Sequence, residues 1–178
     1  MAHVGARVGK AGRVRFSIEQ RFTAPPDLVI DTFTDPDLYP TLTGFTKVGT
    51  PDVLDVVRSG DQVRLRLRMR FIAEVSPAVS AVVDPSKLSW VQDEVYDLRT
   101  RTAAVTFEPD NYADRFSCRG GYTFADDGAG GTVRTAAGDL KIRVLVVGGQ
   151  VEKAMVMGLT EHFAEEQPKV QAWLDAVT

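Results

Sequence analysis

Three acid–base residues share one face of the carboxy-terminal stretch. At about 100° per residue, Glu152, His162 and Glu166 fall within its apolar stripe rather than opposite it. His162 and Glu166 are four positions apart, close enough to pair on a helix. A histidine beside a carboxylate can take up and return a proton near neutral pH. Carboxylates are seldom buried without a partner, so on this stripe they meet cavity water, an arginine or a bound ligand. At the stripe's edge they would reach solvent instead, and the spacing leaves both readings open. A second polar group lies at 90–97. If Asp93 and Asp97 point outward, Trp90, Gln92, Glu94 and Tyr96 point inward. Such a mixed polar and aromatic row suits a ligand cavity better than a dry core. The opposite phase would send Val91 and Val95 inward; the first phase is preferred.

Other candidates carry blander expectations. Cys118 is the only cysteine, which excludes an internal disulfide and a multi-cysteine metal site. A catalytic thiol needs an activating base, and the only histidines, His3 and His162, lie far from it in sequence. A buried structural cysteine is therefore expected. Arg64, Arg66, Arg68 and Arg70 form a stripe that reads as the solvated outer face of a strand, paired with Asp93 and Asp97 next door. Arg13, Arg15, Lys141 and Arg143 also take outward positions, so a larger basic interaction face is the alternative. The net charge of −3 speaks against nucleic acid as the main partner. There is no Gly-rich phosphate loop and no metal-ligand spacing, so neither metal nor cofactor is expected.

These residues must be positioned by a sheet and one long helix. Val151, Met155, Leu159, Phe163, Val170, Trp173, Leu174 and Val177 recur every three or four residues, which predicts a helix over 149–177. About 28 residues at about 1.5 Å each reach roughly 42 Å, enough to cross a domain. Pro168 falls opposite the stripe and predicts a fixed bend toward the sheet. Upstream the period is two. Val14, Phe16, Ile18 and Phe22 alternate with Arg15, Glu19 and Arg21; Val63, Leu65, Leu67, Met69 and Phe71 alternate with the arginine stripe. Pro25-Pro26 ends the first strand and opens a short helix over 27–33, with another turn or two over 37–42. Strands follow at 45–57 (interrupted at Pro51), 63–71, 90–98, 102–108, 114–124 and 132–144. With 178 residues, one domain over 13–178 is expected behind a flexible basic tail, 1–12. No apolar run approaches the roughly 18 residues of a membrane span. The tail lacks an apolar leader core, so the expected compartment is the cytoplasm.

Three stretches carry a family likeness. They are Phe22-Thr23-Ala24-Pro25-Pro26-Asp27-Leu28-Val29 with Asp35-Pro36 and Tyr39, then Leu88-Ser89-Trp90 through Tyr96, then Lys141 through Gly148-Gly149 to Glu152. Together they resemble the START-like, helix-grip superfamily, which includes lipid-transfer domains and polyketide cyclases, and within it an uncharacterised bacterial family. The resemblance implies an α+β fold: a curved antiparallel sheet of about seven strands wrapped around the terminal helix, with two short helices after the first strand. It also implies a ligand-sized cavity, but no catalytic set. The expected function is binding or carriage of a hydrophobic or amphipathic small molecule, lipid-like or polyketide-like, with Trp90, Glu94, Tyr96, Met155, Leu159, His162 and Glu166 around it. The alternatives are a cyclase- or dehydratase-type enzyme using His162 and a carboxylate, and a protein-interaction module using the basic outer face.

Overall fold

Alternating side chains build one antiparallel sheet, and a helix closes over it. The computed structural model describes residues 4–9, 13–81, 83–143 and 148–177. The strands are β1 (Val4–Gly9), β2 (Arg13–Phe22), β3 (Asp52–Ser59), β4 (Gln62–Arg70), β5 (Ser89–Asp97), β6 (Thr102–Pro109), β7 (Phe116–Asp126) and β8 (Thr132–Ile142). The helices are α1 (Pro26–Phe33), the single turn α2 (Pro77–Ser80) and α3 (Gly148–Val177). Strand order is β1-β2-β8-β7-β6-β5-β4-β3, so β3 to β8 form a meander and β2 reaches across to pair with β8. This is the helix-grip arrangement.

The alternation resolves as written. Val14, Phe16, Ile18 and Phe22 are buried on β2, and Val63, Leu65, Leu67 and Met69 on β4. Gly60, at a φ of 58°, makes the tight β3–β4 turn, a backbone state that costs glycine nothing. Across β7 and β8, Gly120 faces Gly138, and a Cβ on Gly138 would lie 2.9 Å from both Gly120 Cα and the Phe16 ring. Only glycine lets the Phe16 ring lie that close over the strand. Pro25 and Pro26 start α1, which buries Val29, Ile30 and Phe33 over the end of the sheet. The bidentate pair of Arg101 and Asp27, 2.7 and 2.8 Å, ties the β5–β6 turn to that helix.

Three expectations need correction. Val4–Gly9 is not a loose tail but an added eighth strand, paired from Val4↔Ile18 to Gly9↔Arg13. Backbone groups of the β2 edge make that pairing, and they need no hydrophobic pattern to announce it. The strand expected at 45–57 begins only at Asp52, with one isolated bridge, Val48↔Phe71, before it. Pro51 has no N–H and cannot carry the ladder through. Asp97 does not serve the arginine stripe. It lies opposite Gln62, one step beyond the stripe, and accepts from Thr100 N while pairing at 4.0 Å with Arg99. The stripe instead meets Asp93 from Arg64 and Arg66, Glu108 from Arg66, Asp110 from Arg68 and Asp52 from Arg70. That is a neutralised, solvated face.

The terminal helix is continuous through Pro168, which lies on its exposed side. Its second half docks tightly: Phe163, Val170 and Leu174 are buried. Gln171 and Glu165 tie it to the chain by accepting from Thr23 N and Thr46 N, each at 3.0 Å. Its first half is held further off, with Met155 and Leu159 only half-buried. Among the described residues no helix is long and apolar enough to cross a membrane.

Candidate functional site

Where α3 stands off the sheet there is a cavity of about 410 Å³. Met155, Gly158, Leu159, His162 and Glu166 line it from the helix, at the three- and four-residue spacing of one helical face. Leu67, Met69, Trp90, Gln92 and Glu94 line it from β4 and β5. Exposed lining residues, Glu74, Asn111 and Arg115 among them, mark its mouth. The preferred phase of β5 is therefore the correct one: Glu94 is buried and Val95 is 40% exposed. Trp90 stacks on Phe107, with ring centroids 5.7 Å apart. Tyr96 is fully buried but stands behind the wall, where it holds Glu94 rather than lining the space.

At the deep end lies a group that the sequence analysis did not single out. Arg134 of β8 is 2% exposed, and its guanidinium sits 3.8 Å from the Phe33 ring centre and 4.0 Å from that of Tyr122. Its Nη1 donates to Glu166 Oε2 at 2.7 Å and to Gln20 Oε1 at 2.6 Å. Gln20 Nε2 in turn donates to Glu166 Oε2 and to the carbonyl of Phe163, so β2, β8 and α3 meet at one polar knot. Burial opposes the charge on Arg134, but Glu166 and the oxygens of Tyr122, Tyr96 and Glu94 outweigh it and strengthen the hold on its proton.

Glu94 forms a second knot. Its Oε2 accepts from Tyr96 Oη at 2.6 Å, and its Oε1 from Gln92 Nε2 at 2.5 Å and Tyr122 Oη at 3.2 Å. Burial raises the Glu94 pKa, while the bonds from Tyr96 and Gln92 and the charge of Arg134 pull it back. Burial likewise raises the phenols of Tyr39, Tyr96 and Tyr122 well above their ordinary range, keeping them protonated donors.

His162 and Glu166, close enough in sequence to pair, do not bond to each other. Glu166 is taken by Arg134 and Gln20, whereas His162 packs its ring 4.7 Å from that of Phe45 and its buried Nδ1 has no partner among the described residues. Burial lowers the His162 pKa, so the imidazole is neutral. The side chain of Glu152 lies outside the described residues. Cys118 does reach the cavity wall, but burial pushes its thiol up to about 12. Labelling by iodoacetamide at neutral pH should accordingly be far slower in folded than in denatured protein. Equal rates, read by mass spectrometry, would contradict a buried thiol. Among the described residues no three His, Cys, Asp or Glu side chains are grouped to hold a metal ion.

The missed groups did leave a signal. Arg134 shares the parity of Ala136 and Leu140, which are buried, and Gln20 shares that of Ile18 and Phe22. Gln20 is the one polar residue in the inward register of β2, and Arg134, which shares its register with Thr132, is the one charged residue in that of β8. Known proteins show a fold of the same kind. A family model described as "Protein of unknown function (DUF2505)" matches residues 17–174. The Zhui aromatase/cyclase from Streptomyces sp. R1128 is 14% identical, with a TM-score of 0.62 over 92% of this chain and 94% of that one. A STAR-related lipid transfer protein from Xanthomonas axonopodis is 16% identical, TM-score 0.58, over 98% and 93%. Norcoclaurine synthase from Thalictrum flavum, solved in complex with dopamine and hydroxybenzaldehyde, is 14% identical, TM-score 0.58, over 100% and 89%. At such identities the likeness is one of fold. No curated protein matches the sequence.

Proposed function

The chain belongs to this DUF2505 family of unknown function, and we propose that it binds and carries a hydrophobic or amphipathic small molecule between sheet and helix. One observation carries the reading: an open cavity of about 410 Å³ whose walls are apolar and aromatic and whose deep end is polar. Sites for small ligands have this size and this division of labour, roughly 300–1,000 Å³ with a few placed polar groups. Trp90, Met155 and Leu159 supply apolar contact in this reading. Glu94, His162 and Glu166 supply the polar end, and Tyr96 fixes Glu94 from behind. A lipid-like or polyketide-like molecule fits, as the fold's relatives include an aromatase/cyclase and a lipid transfer protein. A single cysteine with no disulfide suits a carrier in the cytoplasm.

Acid–base catalysis is the second reading, and Glu94 favours it. It is a buried carboxyl with a raised pKa facing a cleft. Among the described residues no carboxylate bonds to His162 Nδ1 to orient it as a base, so binding without turnover is the stronger reading. The basic outer face, with its arginines paired, has least support as the working surface.

Gly158 offers a test. A Cβ there would meet nothing within 4 Å, and the residue lines the cavity. Gly158→Trp should keep the fold and weaken saturable binding of the neutral dye Nile red by more than about tenfold, because the indole takes the ligand's volume. Unchanged dye binding in a folded variant, or no saturable binding to the wild type, would overturn the carrier reading. Native mass spectrometry of protein purified without detergent should reveal the resident molecule.

A further inference from the structure

Two buried donors around the cavity are left without acceptors. Arg134 Nε and Trp90 Nε1 have no hydrogen-bond partner among the described residues, and both residues line the space. Neither group can do anything but donate. His162 Nδ1, also buried and unpartnered on the same wall, belongs to a neutral ring that donates from one nitrogen and accepts at the other. A buried donor without an acceptor costs about 1–3 kcal/mol. A ligand that packs hydrocarbon against these groups leaves them unpaired, and one that brings oxygen atoms to them can pair them.

The charge at the deep end is already closed. Arg134 is matched by Glu166 at 2.7 Å, and Glu94 stands within the same field. With Glu94 ionised the trio carries one net negative charge; with Glu94 protonated it carries none. The imidazole of His162 adds no positive charge. Lys47, which also lines the space, is paired with Glu161 at 3.5 Å. Nothing in this trio has a positive charge left over to compensate a buried anion, whose desolvation is expensive.

We infer, building on the carrier reading above, that the cavity selects a ligand whose buried part carries neutral hydrogen-bond acceptors, such as ketone, ester or quinone oxygens. An ionised carboxylate and a bare hydrocarbon are both poorer ligands. The pairing of Arg134 with Glu166 makes the guanidinium a hydrogen-bond donor here instead of an anion trap.

Three probes of equal carbon count separate the cases: methyl octyl ketone, decane and decanoate, each titrated as a competitor of Nile red at neutral pH. The ketone should bind several-fold to about tenfold more tightly than decane, the value of one or two neutral hydrogen bonds, and more tightly still than decanoate. Trp90→Phe keeps an aromatic ring beside Phe107 and removes one donor; whatever apolar contact it costs both probes, the preference for the ketone over decane should fall several-fold. Decanoate binding more tightly than the ketone would overturn the inference in favour of an anion site. Ketone and decane binding equally would show that no acceptor is read, while leaving the carrier reading intact. Failure of all three to displace a dye that does bind would overturn the inference, and failure of the dye itself would remove the carrier reading beneath it.

Discussion

Arg134→Met should lower the stability of the protein by about 3–5 kcal/mol, the usual cost of removing one partner from a buried ion pair. The reason is less the bond lost than the charge left behind. Glu166 is 8% exposed, and without the guanidinium it keeps, among the described residues, only the amide of Gln20. The rings of Phe33 and Tyr122 lose a cation held about 4 Å from each, which adds to the loss. Combining it with Glu166→Met should restore most of the stability, because a well-packed apolar pair can replace a buried ionic one without penalty. Chemical denaturation of the two variants beside wild type measures both quantities. A single-variant loss below about 1 kcal/mol, or no recovery in the double variant, would mean that the charge on Glu166 is solvated through the cavity.

The second large effect is expected at the end of the terminal helix. Leu174 is 1% exposed and Trp173 only half-buried, although the wheel placed both on one stripe. Leu174→Ala should cost about 2–5 kcal/mol, transfer and cavity terms together. Trp173→Ala should cost less despite the larger side chain, since part of the residue already faces water and the site is less enclosed. The reverse order in urea denaturation would show that the helix docks through its Trp173 face.

The fold was legible because its two periods are clean. Period two in β2 and β4, the proline pair at the α1 entry and a long apolar helical stripe leave few other ways to bury those residues. The inward row of β5 was only half legible: Asp93 and Asp97 pulled outward, but Val91 and Val95 argued for the opposite phase, and Val91 is itself buried. The polar knot was half legible: a carboxylate at Glu166 required a partner, but a helical wheel cannot say which strand provides it. That answer needed the register of β8 against β2, where Gln20 lies opposite Arg134. The pairing of β1 was hidden for a different reason. It rests on backbone groups alone, which every non-proline residue carries. Asp97 was assigned to the arginine stripe because parity gives the face of a strand and not the position along it.

The placing of β2 between β1 and β8 also governs the order in which the molecule can be made. Every neighbouring pair from β3 to β8 is consecutive in the chain, so each hairpin can close as soon as its second strand has emerged. β2 cannot complete its pairing that way. Phe22 meets Thr132, 110 positions later, and at roughly 5–20 residues per second that delay on the ribosome is several to about twenty seconds. Throughout it, the buried face of β2, with Val14, Phe16, Ile18 and Phe22, has neither β8 nor α3 to cover it. The nascent chain therefore leaves this apolar strand face uncovered longest, and pairing with β1 blunts only one of the strand's two edges.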